Sequence, residues 1–207
     1  MYSNITIKIS NTICESNFNK LRKGDWLMLR DAVQEVLYTE EVLAKRVEEL
    51  GAQITKDYEG ESLCVVGILK GSNIFTSDLV RKIDLPLRME FMAVSSYGNQ
   101  STSTGAVKIL KDIDRSIENE NILIVEDIVD TGLTLKYLKD LLLSRGPKSV
   151  KICSLLDKPE RRKEDIKADY VGFNVPDEFI IGYGIDYAEQ YRNLPFIGVL
   201  KREVYEK

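Results

Sequence analysis

One segment concentrates groups that could do chemistry: ILIVEDIVDTGLTL, residues 122–135. An apolar run delivers two adjacent carboxylates, Glu126 and Asp127. A third, Asp130, follows, and then Thr131-Gly132-Leu133-Thr134 at the expected start of a helix. A helix start offers free N–H groups and the positive end of the helix dipole, which suit a phosphate. Gly132 lets the backbone approach closely, and Thr131 and Thr134 add hydroxyl donors. Carboxylates beside a phosphate would repel it unless they face something else. Vicinal ribose hydroxyls and Mg²⁺ are natural partners. The turn therefore suits a sugar phosphate, with phosphate at one end and diol and metal at the other. The plainer alternative is a strand–turn–helix in which Asp130 or Thr131 caps the helix.

Other nucleotide motifs fit badly. The sequence holds no G-x-x-x-x-G-K-[ST] and no G-x-G-x-x-G after a strand. Histidine is absent, which excludes His-based triads and His-ligated metals. Acid–base work must fall to Asp, Glu, Lys or Tyr, and any metal is a hard cation held by oxygens. Cys14, Cys64 and Cys153 match neither a zinc site nor a redox pair. Cys64 and Cys153 lie in apolar runs and read as buried free thiols, which fits a reducing cytoplasm.

The elements that must position this turn alternate. Thr39 to Leu50 reads as a helix, capped by Thr39, with Val42, Leu43, Val47 and Leu50 as its stripe and Gly51 as its stop. Ser62 to Leu69 is an apolar run typical of a strand covered on both faces, and it ends in Lys70-Gly71-Ser72. A helix follows through Val80, and then a strand from Leu87 to Ser95. Asn121 to Val125 is the next strand, Thr131 to Ser144 a helix, and Ser149 to Leu156 a further strand. Tyr170 to Val175 and Phe179 to Tyr183 are shorter strands. Alternation of this kind implies an α/β fold around a parallel sheet with right-handed crossovers. Ligands of such sheets bind beyond the carboxyl ends of the strands. Lys70-Gly71, Glu126 to Thr134 and Lys158 all follow strands.

Two stretches stand apart. Ser96 to Gly105 (SYGNQSTSTG) is polar, holds two glycines and has little to bury. Loops this long are functional or mobile, or else plain connections. Residues 1–25 are rich in Asn and Ser and lack a sustained period, so they read as an extension, with residues 26–207 as one domain. Met28 is an alternative start. The 207-residue chain has 43% apolar residues, enough for a core, and a net charge of −4. That charge gives no global attraction to nucleic acid or an anionic membrane. No apolar run approaches the roughly 20 residues of a membrane helix, and the N-terminus reads as no secretory signal.

The run Ile122–Leu135 resembles the phosphoribosyl pyrophosphate signature of type I phosphoribosyltransferases. Further segments resemble the bacterial hypoxanthine–guanine branch. They are Ile68 to Ser72, the loop with Ser96-Tyr97, Leu155 to Pro159, and the tail Val171 to Leu200. The resemblance runs from about Asp31 to the end. It implies a Rossmann-like core with a small hood and a mobile lid loop containing Ser96 and Tyr97.

The resemblance also implies roles. Lys70, Gly71 and Arg192 would bind pyrophosphate, with a non-proline cis peptide at Leu69-Lys70. Glu126 and Asp127 would contact the ribose diol and its Mg²⁺. Asp130 would be the general base or acid at the purine N7. Thr131, Gly132, Leu133 and Thr134 would cradle the 5′-phosphate; some relatives carry lysine at the position of Leu133. Lys158 would donate to the purine O6, Phe179 would stack on the base, and the Ile180 backbone would meet its edge. Asp186 would be a second Mg²⁺ contact near the base. The implied activity transfers a phosphoribosyl group to N9 of hypoxanthine or guanine. The implied assembly is a homodimer or homotetramer. Rivals are enzymes for xanthine, adenine or orotate, or a regulator that keeps the fold. Adenine carries a donor amine at C6, where the Lys158 ammonium is the wrong partner.

Overall fold

The computed structural model describes residues 29–96 and 107–206. The extension, Met28, Cys14 and Tyr97 lie outside the described residues.

The elements are β1 (Val33–Tyr38), α1 (Glu40–Asp57), β2 (Leu63–Leu69), α2 (Asn73–Val80), β3 (Leu87–Ser96) and β4 (Val107–Lys111). They continue with β5 (Asn121–Val129), α3 (Leu133–Leu143), β6 (Ser149–Asp157) and β7 (Tyr170–Asn174). The chain closes with β8 (Ile180–Ile181), β9 (Ile197–Leu200) and the short helix α4 (Arg202–Tyr205).

Six strands form the main sheet in the order β4-β3-β2-β5-β6-β7. All neighbours pair in parallel except β3 and β4, an antiparallel edge the apolar pattern gave no sign of. Strand β4 (VKILK) is half polar and largely exposed. Strand β2 is buried at all but its last position, and β5 is buried from Asn121 to Val125, because helices cover both faces. On one face α1 and α2 bring Leu43, Leu50, Phe75 and Leu79 against Val65 and Leu123. On the other, α3 brings Leu135, Leu138 and Leu142 against Val66 and Ile124. The chain thus leaves β2 toward one face and the adjacent β5 toward the other. That divergence opens a crevice beyond their carboxyl ends, the usual ligand position in such sheets.

The structure corrects three expectations. Gly51 does not stop α1, which runs on to Asp57. It is buried because a Cβ there would collide with the backbone of Lys82, so the glycine serves close packing. Val42 is exposed, and the buried stripe is Leu43, Val47, Leu50, Gly51 and Ile54. The stretch Phe179–Tyr183 supplies only Ile180–Ile181 as strand, in a separate three-stranded antiparallel sheet ordered β1-β9-β8. This hood has its own small core of Ala32, Ile181, Leu194, Phe196 and Leu200, on which Val204 and Tyr205 of α4 pack. Cys64 and Cys153 are buried free thiols as expected, and burial pushes the Cys64 thiol up to about 11. No helix among the described residues is long and apolar enough to cross a membrane.

Candidate active site

Strand β5 is longer than its apolar run suggested. It continues through Glu126 and Asp127 to Val129, so both carboxylates sit on the strand itself. Neither has a basic side chain as a hydrogen-bond partner. One Glu126 oxygen, Oε2, is sealed from solvent with no partner at all. Burial, with Asp127 alongside, raises the Glu126 carboxyl well above the usual carboxylate range. Burial also pushes Asp127 up to about 6, against the pull of the Ile128 N–H, which donates to Oδ1 at 2.8 Å.

The turn after β2 reaches the same place. The Leu69-Lys70 peptide is cis, as the resemblance implied. A Cβ on Gly71 would overlap the Asp127 carboxylate, so only glycine lets this turn lie against β5. Lys70 Nζ sits 3.0 Å from Glu189 Oε2. Arg192 joins the group from the hood: its Nη1 donates to the Gly184 carbonyl at 2.8 Å, and its Nη2 lies 2.8 Å from Asp186 Oδ1. Arg192 Nε is buried without a partner. Lys70, Gly71, Asp127, Asp186 and Arg192 therefore converge, with Glu189 tying Lys70 to the Arg192 loop.

Past Val129 the chain turns into α3. The helix starts at Leu133, two residues later than expected, with Gly132 at its cap. Gly132 has φ 82°, in the left-handed region that glycine tolerates best. Glu126, Asp130, Thr131, Gly132 and Thr134 line a cavity of about 150 Å³ at this helix start. Leu133 opens the helix but its side chain does not line the cavity. A second cavity of about 440 Å³ abuts it, and Ile128 and Asp130 line both. The second cavity gathers Lys158, Phe179, Ile180 and Asp186.

Lys158 sits at the end of β6, anchored by its N–H to the Val129 carbonyl at 2.9 Å. Its buried ammonium donates to the Glu178 carbonyl at 2.6 Å, and burial lowers its pKa. Phe179 is part exposed and stacks on Tyr205 of α4, with ring centroids 4.9 Å apart. Tyr187 meets Phe179 edge-on at 5.2 Å.

A phosphoribosyl transferase domain matches residues 33–188. The chain is 56% identical over 179 residues to a hypoxanthine-guanine phosphoribosyltransferase of Bacillus subtilis, covering 86% of this chain and 99% of that protein. It is 54% identical to the Streptococcus mutans protein of the same name, covering 87% of this chain and all of that one. A crystal structure of a hypoxanthine phosphoribosyltransferase from Staphylococcus aureus superposes with a TM-score of 0.85 at 56% identity, over 87% of this chain and 98% of that one. The chain belongs to the hypoxanthine-guanine phosphoribosyltransferase family.

Within that family frame, several site neighbours escaped sequence reasoning. Ile128 forms a wall of the larger cavity, and Arg161, Arg202 and Tyr205 line it too. Ile128 lies within the acidic turn Glu126 to Asp130, where it reads as a spacer between the carboxylates. Glu189 lies on a segment with positive φ at Ala188, Glu189 and Tyr191, a conformation no side-chain pattern announces. Ser96 ends β3, paired with Val107 of β4, and the rest of the lid expectation, Tyr97 included, lies outside the described residues.

Proposed function

We propose that the chain transfers the 5-phosphoribosyl group of phosphoribosyl pyrophosphate to N9 of hypoxanthine or guanine, releasing pyrophosphate. One observation carries the reading. A phosphate-sized cavity at a helix start and a larger cavity with an aromatic and a buried ammonium share Asp130. The ribose would bridge them, with its phosphate among the N–H groups of Thr131 to Thr134 and the base between Ile128 and Phe179. Lys158 would donate to O6, and the Ile180 backbone would meet the far edge. Asp130 would take the N7 proton so that N9 becomes nucleophilic. Lys70, the Gly71 backbone and Arg192 would hold the pyrophosphate, and the unpartnered Arg192 Nε suits an anion.

The residues fit Mg²⁺ shared with the substrate. Glu126 and Asp127 are adjacent carboxylates, one with an orphaned oxygen, and Asp186 lies near enough to raise Asp127 further. Among the described residues no three such groups form a metal cage. That is consistent with an ion that takes one or two carboxylates and completes its shell with substrate oxygens and water. When bound, Mg²⁺ supplies neutralising charge to the leaving pyrophosphate.

We place the enzyme in the cytoplasm as a homodimer or homotetramer acting on small molecules, with no nucleic-acid or membrane partner, and with residues 26–207 as its catalytic domain. The test is release of pyrophosphate by the purified protein. It should require Mg²⁺ and hypoxanthine or guanine. Release without a base, or equally well with adenine, would overturn the assignment.

A further inference from the structure

The Asp130 carboxylate lies in ion-pair contact with a residue to which the roles above give no part. Directly after Lys158 the chain makes a short 3-10 turn, Pro159–Arg161, whose last residue points back across the larger cavity. Arg161 Nε lies 3.0 Å from Asp130 Oδ1, an ion-pair contact whose angle falls outside hydrogen-bond geometry, so Oδ1 keeps no hydrogen-bond donor. Its Nη1 donates to Asp177 Oδ1 at 3.3 Å. Asp177 is also 3.9 Å from Lys158 Nζ. One chain of charges, Asp130–Arg161–Asp177–Lys158, therefore joins the two groups that would meet the N7 and O6 edge of a purine.

The orientation of the carboxylate is informative. Asp130 Oδ1 is sealed from solvent, although the side chain as a whole keeps 39% of its exposure. The accessible part of the carboxylate is thus on the Oδ2 side. Arginine suits this place because its planar fork can engage two carboxylates at once, whereas a lysine is a single point charge. Exposed ion pairs add little to stability, so the consequence of the contact is directional.

We infer that Arg161 is a positioning residue for Asp130: braced by Asp177, it holds Oδ1 and leaves Oδ2 to meet the proton at N7. The inference rests on the reading of Asp130 as the group that works on N7. It adds a third group that orients a general base, an arrangement that recurs where proton transfer needs fixed geometry.

The test compares Arg161→Ala, Arg161→Lys, Asp177→Asn, Asp130→Asn and the Asp130→Asn/Arg161→Ala double variant, with thermal melting as the fold control. A misplaced catalytic group can cost about 10²-fold. Arg161→Ala should lose about 10- to 100-fold in kcat, with KM for phosphoribosyl pyrophosphate within about twofold. Arg161→Lys should recover part of that loss, and Asp177→Asn should lose less than Arg161→Ala. Guanidinium ion at tens of millimolar should partly restore kcat in Arg161→Ala, and urea at the same concentration should not. In the double variant the Arg161 change should cost nothing beyond Asp130→Asn, because residues acting as one unit are not additive. Wild-type kcat in Arg161→Ala, or losses that multiply in the double variant, would overturn the inference while leaving the Asp130 reading intact. Full kcat in Asp130→Asn would overturn both. Should Arg161→Ala not fold, Arg161→Lys and Asp177→Asn decide: wild-type kcat in both would overturn the inference.

Discussion

The two sheets meet at the candidate active site but are built differently. Apart from its antiparallel β3–β4 edge, which has one register shift, the main sheet is a ladder of parallel pairs in regular register, with β5 matched to β6 from Asn121 opposite Ser149 to Val129 opposite Asp157. Helices bury it on both faces, and its carboxyl rim carries Glu126, Asp127, Asp130 and Lys158. The hood is a small antiparallel sheet whose β1–β9 pairing shifts register twice. The loop it carries turns through positive φ at Tyr183, Ala188, Glu189 and Tyr191. From this side come Phe179, Ile180, Asp186 and Arg192. On the proposed reading the main rim would supply the groups for proton and 5′-phosphate work together with Lys158. The hood would supply Phe179 and Ile180 for the base, and Asp186 and Arg192 for metal and pyrophosphate. Changes to Asp130 on the main rim should therefore reach kcat, and changes to Phe179 on the hood should reach binding of the base.

The largest effect should come from Asp130→Asn. The substitution keeps the size and loses the base, and general acid–base catalysis contributes about 10²–10⁴-fold. We expect kcat to fall by that range with KM for phosphoribosyl pyrophosphate nearly unchanged, measured by steady-state kinetics. A variant with full kcat would reduce Asp130 to a turn residue and break the main-rim half of the comparison.

Lys158 straddles the two regions, since it directly follows β6 while its ammonium donates to the Glu178 carbonyl that precedes β8. A hydrogen bond to a charged partner is worth about 1.5–3 kcal/mol. That is roughly 10- to 150-fold in kcat/KM. Lys158→Gln should lose this on hypoxanthine and guanine, and the wild type should ignore adenine. The pH dependence follows from the direction of its shift. Burial disfavours the charged form and lowers the pKa, so the ammonium is present at low pH and lost as pH rises. The alkaline fall in kcat/KM should therefore begin below the range of a solvent lysine and be absent in Lys158→Gln. Good adenine turnover by the wild type would remove Lys158 from the base pocket.

The same contrast explains what the sequence revealed. Strands β2, β5 and β6 were legible because a strand covered on both faces must be continuously apolar (LCVVGIL is the plainest case). The phosphate turn was legible because a helix start and its glycine leave fixed residue types at fixed spacing. Strands β1 and β9 were not, because one alternates irregularly and the other is only four residues long. The hood residues Phe179, Asp186 and Arg192 were reached only through family resemblance. Nothing in their local pattern encodes a return across many residues to Asp127. Arg161 escaped for a related reason: beside Arg162 and Lys163 it looks like one more solvated cation, and only the fold aims it at Asp130.

Phe179 tests the hood half. Its ring already stacks on Tyr205, and the cavity lies against it. Aromatic pairs gain about 0.5–1.5 kcal/mol beyond the area they bury. Phe179→Leu keeps most of the apolar bulk, so KM for the base should rise about 2- to 13-fold while kcat stays close to wild type. A fall in kcat with unchanged KM would contradict the division between rim and hood.

The smallest effect should come from the N-terminus, and it marks where the hood ends. The hood core draws on Leu29, Ala32 and Val33, and the Arg30 guanidinium lies 5.7 Å from the centre of the Phe196 ring. A chain starting at Met28 keeps all four residues. The match to the Bacillus subtilis protein spans 99% of that protein and 86% of this chain. Residues 1–25 contribute no motif and no apolar period that would add to either sheet. We therefore expect the Met28 start to yield folded protein, with kcat/KM within about twofold of the full chain and the same melting temperature. A start at Gln34 should behave differently. It removes Ala32, whose carbonyl accepts from the Lys201 N–H at 2.9 Å, and the first residue of β1. That variant should melt earlier, because α4 and the wall it gives the base cavity lose their support. Equal loss from both truncations would mean that the extension belongs to the hood after all.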